Sequence, residues 1–176
     1  ALTHVVLHTC ESSTAAGCLA TLSDPFAFAP VSAHYLVGED GRVFSLVDDD
    51  NTAWHSGPAG YNSRSVGVEV VGYAADPATW TPELVASLGE LVGWLSTTYG
   101  IPLQYRATSS DPEQARGFVA HAAIDPTRRT DPGIWFPWEE VRARAAGAPA
   151  AAPSSAGLVM LAVLGIAAAA LAWSLR

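Results

Sequence analysis

A histidine and an aspartate ten residues apart, His121 and Asp131, bracket a polar loop in FVAHAAIDPTRRTDPG, residues 118–133. Phe118-Val119-Ala120 reads as a strand ending on His121, and Pro132-Gly133 as the turn that brings the chain back. A strand end fixes a side chain, and a loop anchored by Pro and Gly can return a second ligand beside it. The pair therefore suits two of the three protein ligands of a catalytic zinc. A polar loop with a surface histidine and a capping aspartate is the alternative. His8 closes the apolar run HVVLH at residues 4–8 and is a further candidate ligand in the same strand-end setting. His4 opens that run at the opposite end, which points to a structural or solvated role. Glu69 is the one acid in the strand-like run VGVEVV, residues 66–71. Burying a carboxylate is costly unless it is paired or hydrogen-bonded, so Glu69 faces a site or makes an ion pair; its place in a core strand favours the site.

The surrounding elements must hold these groups. Residues 9–13 lead from the first strand into a helix expected near residues 14–22. Cys10 and Cys18 flank that junction; they can close a small disulfide under His8 in an oxidising compartment, or remain half-buried thiols. Residues 31–37 and 43–47 read as the strands of a hairpin with Asp40-Gly41 in its turn. Asp48-Asp49-Asp50 reads as a solvated loop, because the further oxygen positions and closing Glu of a calcium loop are absent. Trp54, His55 and Asn62 occupy a polar stretch suited to a groove for a sugar or a peptide. A Trp over the core edge beside a backbone-satisfied histidine is the structural alternative. Thr81-Pro82-Glu83 starts a helix, Leu84, Leu88, Leu91, Val92 and Leu95 give it an apolar face, and Gly100 ends it. Residues 101–115 read as irregular, and a helix over 139–145 closes the domain.

The chain has 176 residues, enough for one domain with a core, and a net charge of −8. All nine basic residues are arginine and none form a basic stripe, which argues against a nucleic-acid partner. Two cysteines are too few for a disulfide framework or a four-thiolate zinc site. The opening ALTH has neither the basic nor the apolar segment of a secretory signal. Residues 157–173 carry no charge; extended to 156–175 they make about 20 residues, ~30 Å as a helix, which matches a bilayer core. A helix apolar all round suits lipid better than the flank of a soluble domain. The expected organisation is a catalytic domain over 1–145, a Pro/Ala/Ser linker over 146–155 and a transmembrane helix over 156–175. Arginines on both sides of the span assign it no orientation, and no oligomeric state follows.

Five motifs occur in order over about residues 3–142: VVLHT, SAHYLVGEDGRVFSLV, AWHSG, NSRSVGVEV and HAAIDPTRRTDPG. Together with His8, Glu69, His121 and Asp131, they make the chain similar to the zinc N-acetylmuramoyl-L-alanine amidases of the amidase-2 family. That family includes phage lysozyme-type amidases and the related peptidoglycan recognition proteins. The resemblance implies an α/β domain, a mixed central β-sheet flanked by helices, with zinc in a groove on one face. It implies Zn2+ held by His8, His121 and Asp131 with water in the fourth position. The implied reaction on peptidoglycan is cleavage of the amide joining the lactyl group of N-acetylmuramic acid to L-alanine. Glu69 matches the acid of the family's SxGxE strand and is expected to orient or deprotonate the water. Arg129 stands where several members carry Lys and is expected to stabilise the oxyanion, with a planar fork in place of a point-like ammonium. Some phage members use a Tyr near the His34 segment; the matching position here is Ala33, so that role is not carried to Tyr35. His34, Trp54, His55, Asn62 and Arg128 are expected along the groove or behind the ligands.

Relatives that bind peptidoglycan without cutting it share this scaffold and typically lose a zinc ligand. All three ligands are present here, so an enzyme is expected in preference to a recognition module. Amidase motifs joined to a terminal span lead to the expectation of a phage-encoded, endolysin-like wall lysin in a virion membrane or an infected-host membrane. A bacterial tail-anchored wall-remodelling amidase is the alternative.

Overall fold

Strand β1 (His4–Thr9) is buried along its whole length, as a strand covered on both faces must be. In the computed structural model it lies between two parallel neighbours, β4 (Ser65–Val70) and β6 (Gly117–Ala120). The structure describes residues 1–147 apart from 25, 27, 28, 58 and 107–115, together with the backbone of 158–160. On the far side of β4 lies β2 (Tyr35–Val37), also parallel, which pairs antiparallel with β3 (Val43–Ser45) across the expected turn. The two-residue strand β5 (Tyr105–Arg106) borders β6, and β7 (Leu158–Met160) borders β3. The order is β5-β6-β1-β4-β2-β3-β7, a mixed sheet.

Alternation along the strands divides the sheet's two faces. Val5 and Leu7, Val66, Val68 and Val70, and Phe118 pack with Leu84, Leu88, Leu91, Val92 and Leu95 of α3 (Pro82–Tyr99) and Val141 of α5 (Trp138–Ala146). The opposite parity puts His4, Val6 and His8 of β1, with Gly67 and Glu69 of β4, on the other face. Register places His8 directly beside Glu69. Helix α3 begins where the sequence indicates, with the Thr81 hydroxyl accepting from the Leu84 N–H, and ends on left-handed Gly100. Helix α1 (Ala15–Leu22) is capped by Thr14, and a disulfide between Cys10 and Cys18, with Cα atoms 5.6 Å apart, ties it to the end of β1; the four-residue α2 (Ala59–Asn62) precedes β4. Tyr35 joins the α3 side of the core, away from the His8 face.

Several expectations change. The 31–37 strand shrinks to three residues because the Ser32 N–H donates to the Trp54 carbonyl and leaves the ladder. Its partner stops at Ser45, where Leu46 and Val47 turn their N–H groups to the His34 carbonyl. Asp49 is not simply solvated: its Oδ2 accepts the Tyr99 hydroxyl at 2.6 Å. Of the span expected over 156–175, only Leu158–Met160 is described, as a strand where a helix was expected; the rest of the span, and linker residues 148–155, lie outside the described residues. No helix among the described residues is long and apolar enough to cross a membrane.

Candidate metal centre

The C-terminal ends of β1, β4 and β6 lie side by side, the end of a parallel sheet where α/β folds place ligands. His8 is the fifth residue of β1. His121 follows β6 directly and opens the short helix α4 (His121–Ile124), where a plain loop was expected; its carbonyl accepts from Asp125 N–H at 3.0 Å. The loop then returns so that Ala122 N–H donates to the Asp131 carbonyl at 2.9 Å, which sets the Asp131 side chain against both histidines. Gly133, at φ +91°, allows this return: a Cβ there would run into the Ala74 backbone.

His8 Nδ1, His121 Nδ1 and Asp131 Oδ2 form a nearly equilateral triangle with sides of 3.0, 3.0 and 3.1 Å. Among the described residues this is the one group of three such side chains placed to hold a metal. A tetrahedral zinc with bonds of about 2.0–2.1 Å has ligand–ligand edges of about 3.3 Å, so a slight opening of the triangle suffices. The donor chemistry fits as well, because two imidazole nitrogens and a carboxylate oxygen, ordinary zinc ligands, converge on one point. Burial lowers the pKa of His8, with the neighbouring His121 adding to the effect, so its imidazole is held in the neutral form a metal requires. Burial would raise Asp131, but the His121 and His8 imidazoles against it hold the carboxyl well below its usual range.

Glu69 is half-buried beside this triangle, and its Oε2 has no hydrogen-bond partner among the described residues. Burial, followed by the charge of Asp131, pushes its pKa up to about 8, while Arg129 pulls it down. Arg129 itself is exposed, and its charge acts on both His8 and Glu69.

The expected groove residues separate into two sets. Trp54 is 56% exposed and open to a ligand. Arg128 is also exposed but pairs with Asp125, Nε to Oδ2 2.7 Å, within its own loop. His34, His55 and Asn62 are buried. His34 Nδ1 accepts from Gly67 N–H at 2.9 Å and its Nε2 lies 3.2 Å from the Asn51 carbonyl. Asn62 Oδ1 accepts from the N–H of His55, the N–H of Ser56 and the Ser56 hydroxyl. His55 Nδ1 lies 3.0 Å from His8 Nε2, and Ser65 Oγ lies 3.2 Å from His55 Nε2. Ser65 was not singled out from the sequence; the signal was its alternation with Gly67 and Glu69 along one strand face.

Comparison with known proteins agrees with this geometry. The family model for N-acetylmuramoyl-L-alanine amidase (Amidase_2) matches residues 1–134. The chain is 33% identical over 119 residues to the 1,6-anhydro-N-acetylmuramyl-L-alanine amidase AmpD of Citrobacter freundii, covering 64% of this chain and 56% of that protein. It thus spans little more than half the length of that relative. Identity to N-acetylmuramoyl-L-alanine amidase A of Achromobacter lyticus is 30% over 143 residues, 76% of this chain and 77% of the relative. The fold superposes with a TM-score of 0.64 and 26% identity on the amidase AmiD of E. coli, solved with the substrate anhydro-N-acetylmuramic acid-L-Ala-D-gamma-Glu-L-Lys; the match covers 88% of this chain and 60% of AmiD.

Proposed function

Because the chain belongs to the N-acetylmuramoyl-L-alanine amidase family, we propose that it hydrolyses the amide between the lactyl group of N-acetylmuramic acid and L-alanine in peptidoglycan, with zinc held by His8, His121 and Asp131. The observation that carries this reading is the triangle of converging donors with an unpartnered carboxylate oxygen beside it. Bound there, zinc supplies Lewis acidity that acidifies water and polarises a carbonyl. Glu69 takes the proton from the attacking water and passes it to the leaving L-alanine nitrogen as the C–N bond breaks. Its value of about 8 belongs to the metal-free groove. Arg129 offers its positive charge to the oxyanion of the tetrahedral intermediate, and Trp54 offers an exposed ring to sugar or peptide.

The proposal extends to location. Residues 156–175 anchor the catalytic domain in a bilayer, with Leu158–Met160 leaving the edge of β3 to do so, as suits a phage wall lysin in a virion or infected-host membrane. The support is their uncharged composition after a Pro/Ala/Ser linker. The catalytic reading is tested by incubating the full chain with purified peptidoglycan, with and without a zinc chelator, and weighing the released products. Chelator-sensitive release of free stem peptides beginning at L-alanine is the expected result. Tight wall binding without cleavage by zinc-loaded protein would make this a recognition module instead.

A further inference from the structure

Behind His8 the hydrogen bonds run in one direction only. The Ser65 hydroxyl lies 2.6 Å from the Tyr61 carbonyl. A carbonyl only accepts, so the single hydroxyl proton of Ser65 is committed there. Ser65 Oγ then has only lone pairs for His55 Nε2 at 3.2 Å, which must carry the His55 proton. That leaves His55 Nδ1 bare, so the proton in its 3.0 Å bond to His8 belongs to His8 Nε2. A neutral His8 protonated on Nε2 has a bare Nδ1, and Nδ1 is its corner of the ligand triangle. The opposite direction would leave two oxygens 2.6 Å apart with no proton between them.

We propose that Ser65 and His55 form a directional relay that fixes the His8 tautomer and so presents Nδ1 to the metal, making both positioning residues of the centre. The proposal rests on the metal reading of the triangle. Both imidazoles are buried, and burial disfavours the doubly protonated ring. Protons also balance without metal: His121 Nδ1–H is 3.0 Å from both His8 Nδ1 and Asp131 Oδ2 and can be shared between them. Two devices hold the His55 ring in place. Asn62 fixes its backbone N–H, and Gly67 gives it room, because a Cβ at residue 67 would collide with the imidazole. The Ser65-x-Gly67-x-Glu69 spacing thereby acquires a physical reading: alternate residues on one strand face terminate the relay, floor it and carry the reacting carboxyl.

Two measurements on the full chain test this. Two-bond proton–nitrogen spectra of the metal-free, 15N-labelled protein at neutral pH report ring tautomers directly; both His8 and His55 are expected as Nε2–H. His8 found as Nδ1–H overturns the relay, and this readout needs no variant to fold. Zinc affinity is then read by competition with a chelating dye. His55→Phe is expected to bind about 10–100-fold more weakly. Ser65→Ala is expected to weaken binding less, with Ser65→Thr, which keeps the hydroxyl, close to the parent. His55→Phe binding zinc within about twofold of the parent, against that 10–100-fold expectation, overturns the relay alone. A parent that binds no zinc while His8 is Nε2–H overturns the metal reading, and with it the relay's purpose.

Discussion

Replacing Glu69 with Gln separates what this carboxyl costs the fold from what it does in hydrolysis. Its folded pKa of about 8 lies above the ordinary 4.5, so the folded protein holds the Glu69 proton more tightly than the unfolded chain does. This contribution to stability is complete below pH 4.5 and is lost as pH rises through 8. At about 1.36 kcal/mol per pH unit the whole gap is at most about 5 kcal/mol. Glu69 keeps some solvent contact, so about 2–3 kcal/mol is the expected size. Gln never ionises and escapes the loss. Chelator-treated Glu69→Gln should match the parent near pH 5 and exceed it by about 2–3 kcal/mol at pH 9, measured by urea unfolding across that range. Histidine contributions are common to both proteins and cancel in the difference. The zinc-loaded variant should release stem peptide about 10²–10⁴-fold more slowly. A stability difference that is flat with pH, or a parent more stable at pH 9, would refute the burial argument.

In a Glu69→Gln background the metal-free protein should lose stability as pH falls below 6.5. Burial lowers the pKa values of His8, His34 and His55, so the unfolded chain protonates first; an unchanged melting temperature between pH 7 and 5 would contradict this. Cys18→Ser should cost about 2–3 kcal/mol in denaturant titration, the loop-closure value for a separation of eight residues. Gly133→Ala should cost at least about 1 kcal/mol and weaken zinc binding, since φ is +91° and Ala74 blocks a Cβ; parent-like stability and zinc affinity would show that the return of Asp131 does not depend on this close approach.

The three residues of the candidate metal centre were legible because each stands at a local signal. His8 and His121 end apolar runs, and Asp131 precedes a Pro-Gly turn. Glu69 was legible as an acid among valines, and α3 through its cap, apolar face and terminal glycine. What escaped reading depends on contacts distant in sequence. His55 meets His8 across 47 residues, which leaves no periodic trace, and the alternation of Ser65 with Gly67 and Glu69 gives its strand face but not its contact with His55. His34, His55 and Asn62 have the polar composition of a groove, but all three are buried and bond to backbone groups, directly or through their own N–H. The shortened β2 has a similar cause, since the bond between Ser32 and Trp54 that ends it joins two loops.

The central claim is that His8, His121 and Asp131 form one metal site that runs amide hydrolysis. Zinc titration of the chelator-stripped chain, with stem-peptide release followed at each addition, tests it most directly. Activity should rise from none and saturate at one zinc per chain in the parent, and His121→Ala should stay inactive at every zinc concentration. Full activity in the stripped protein, or zinc-dependent activity in His121→Ala, would contradict the account.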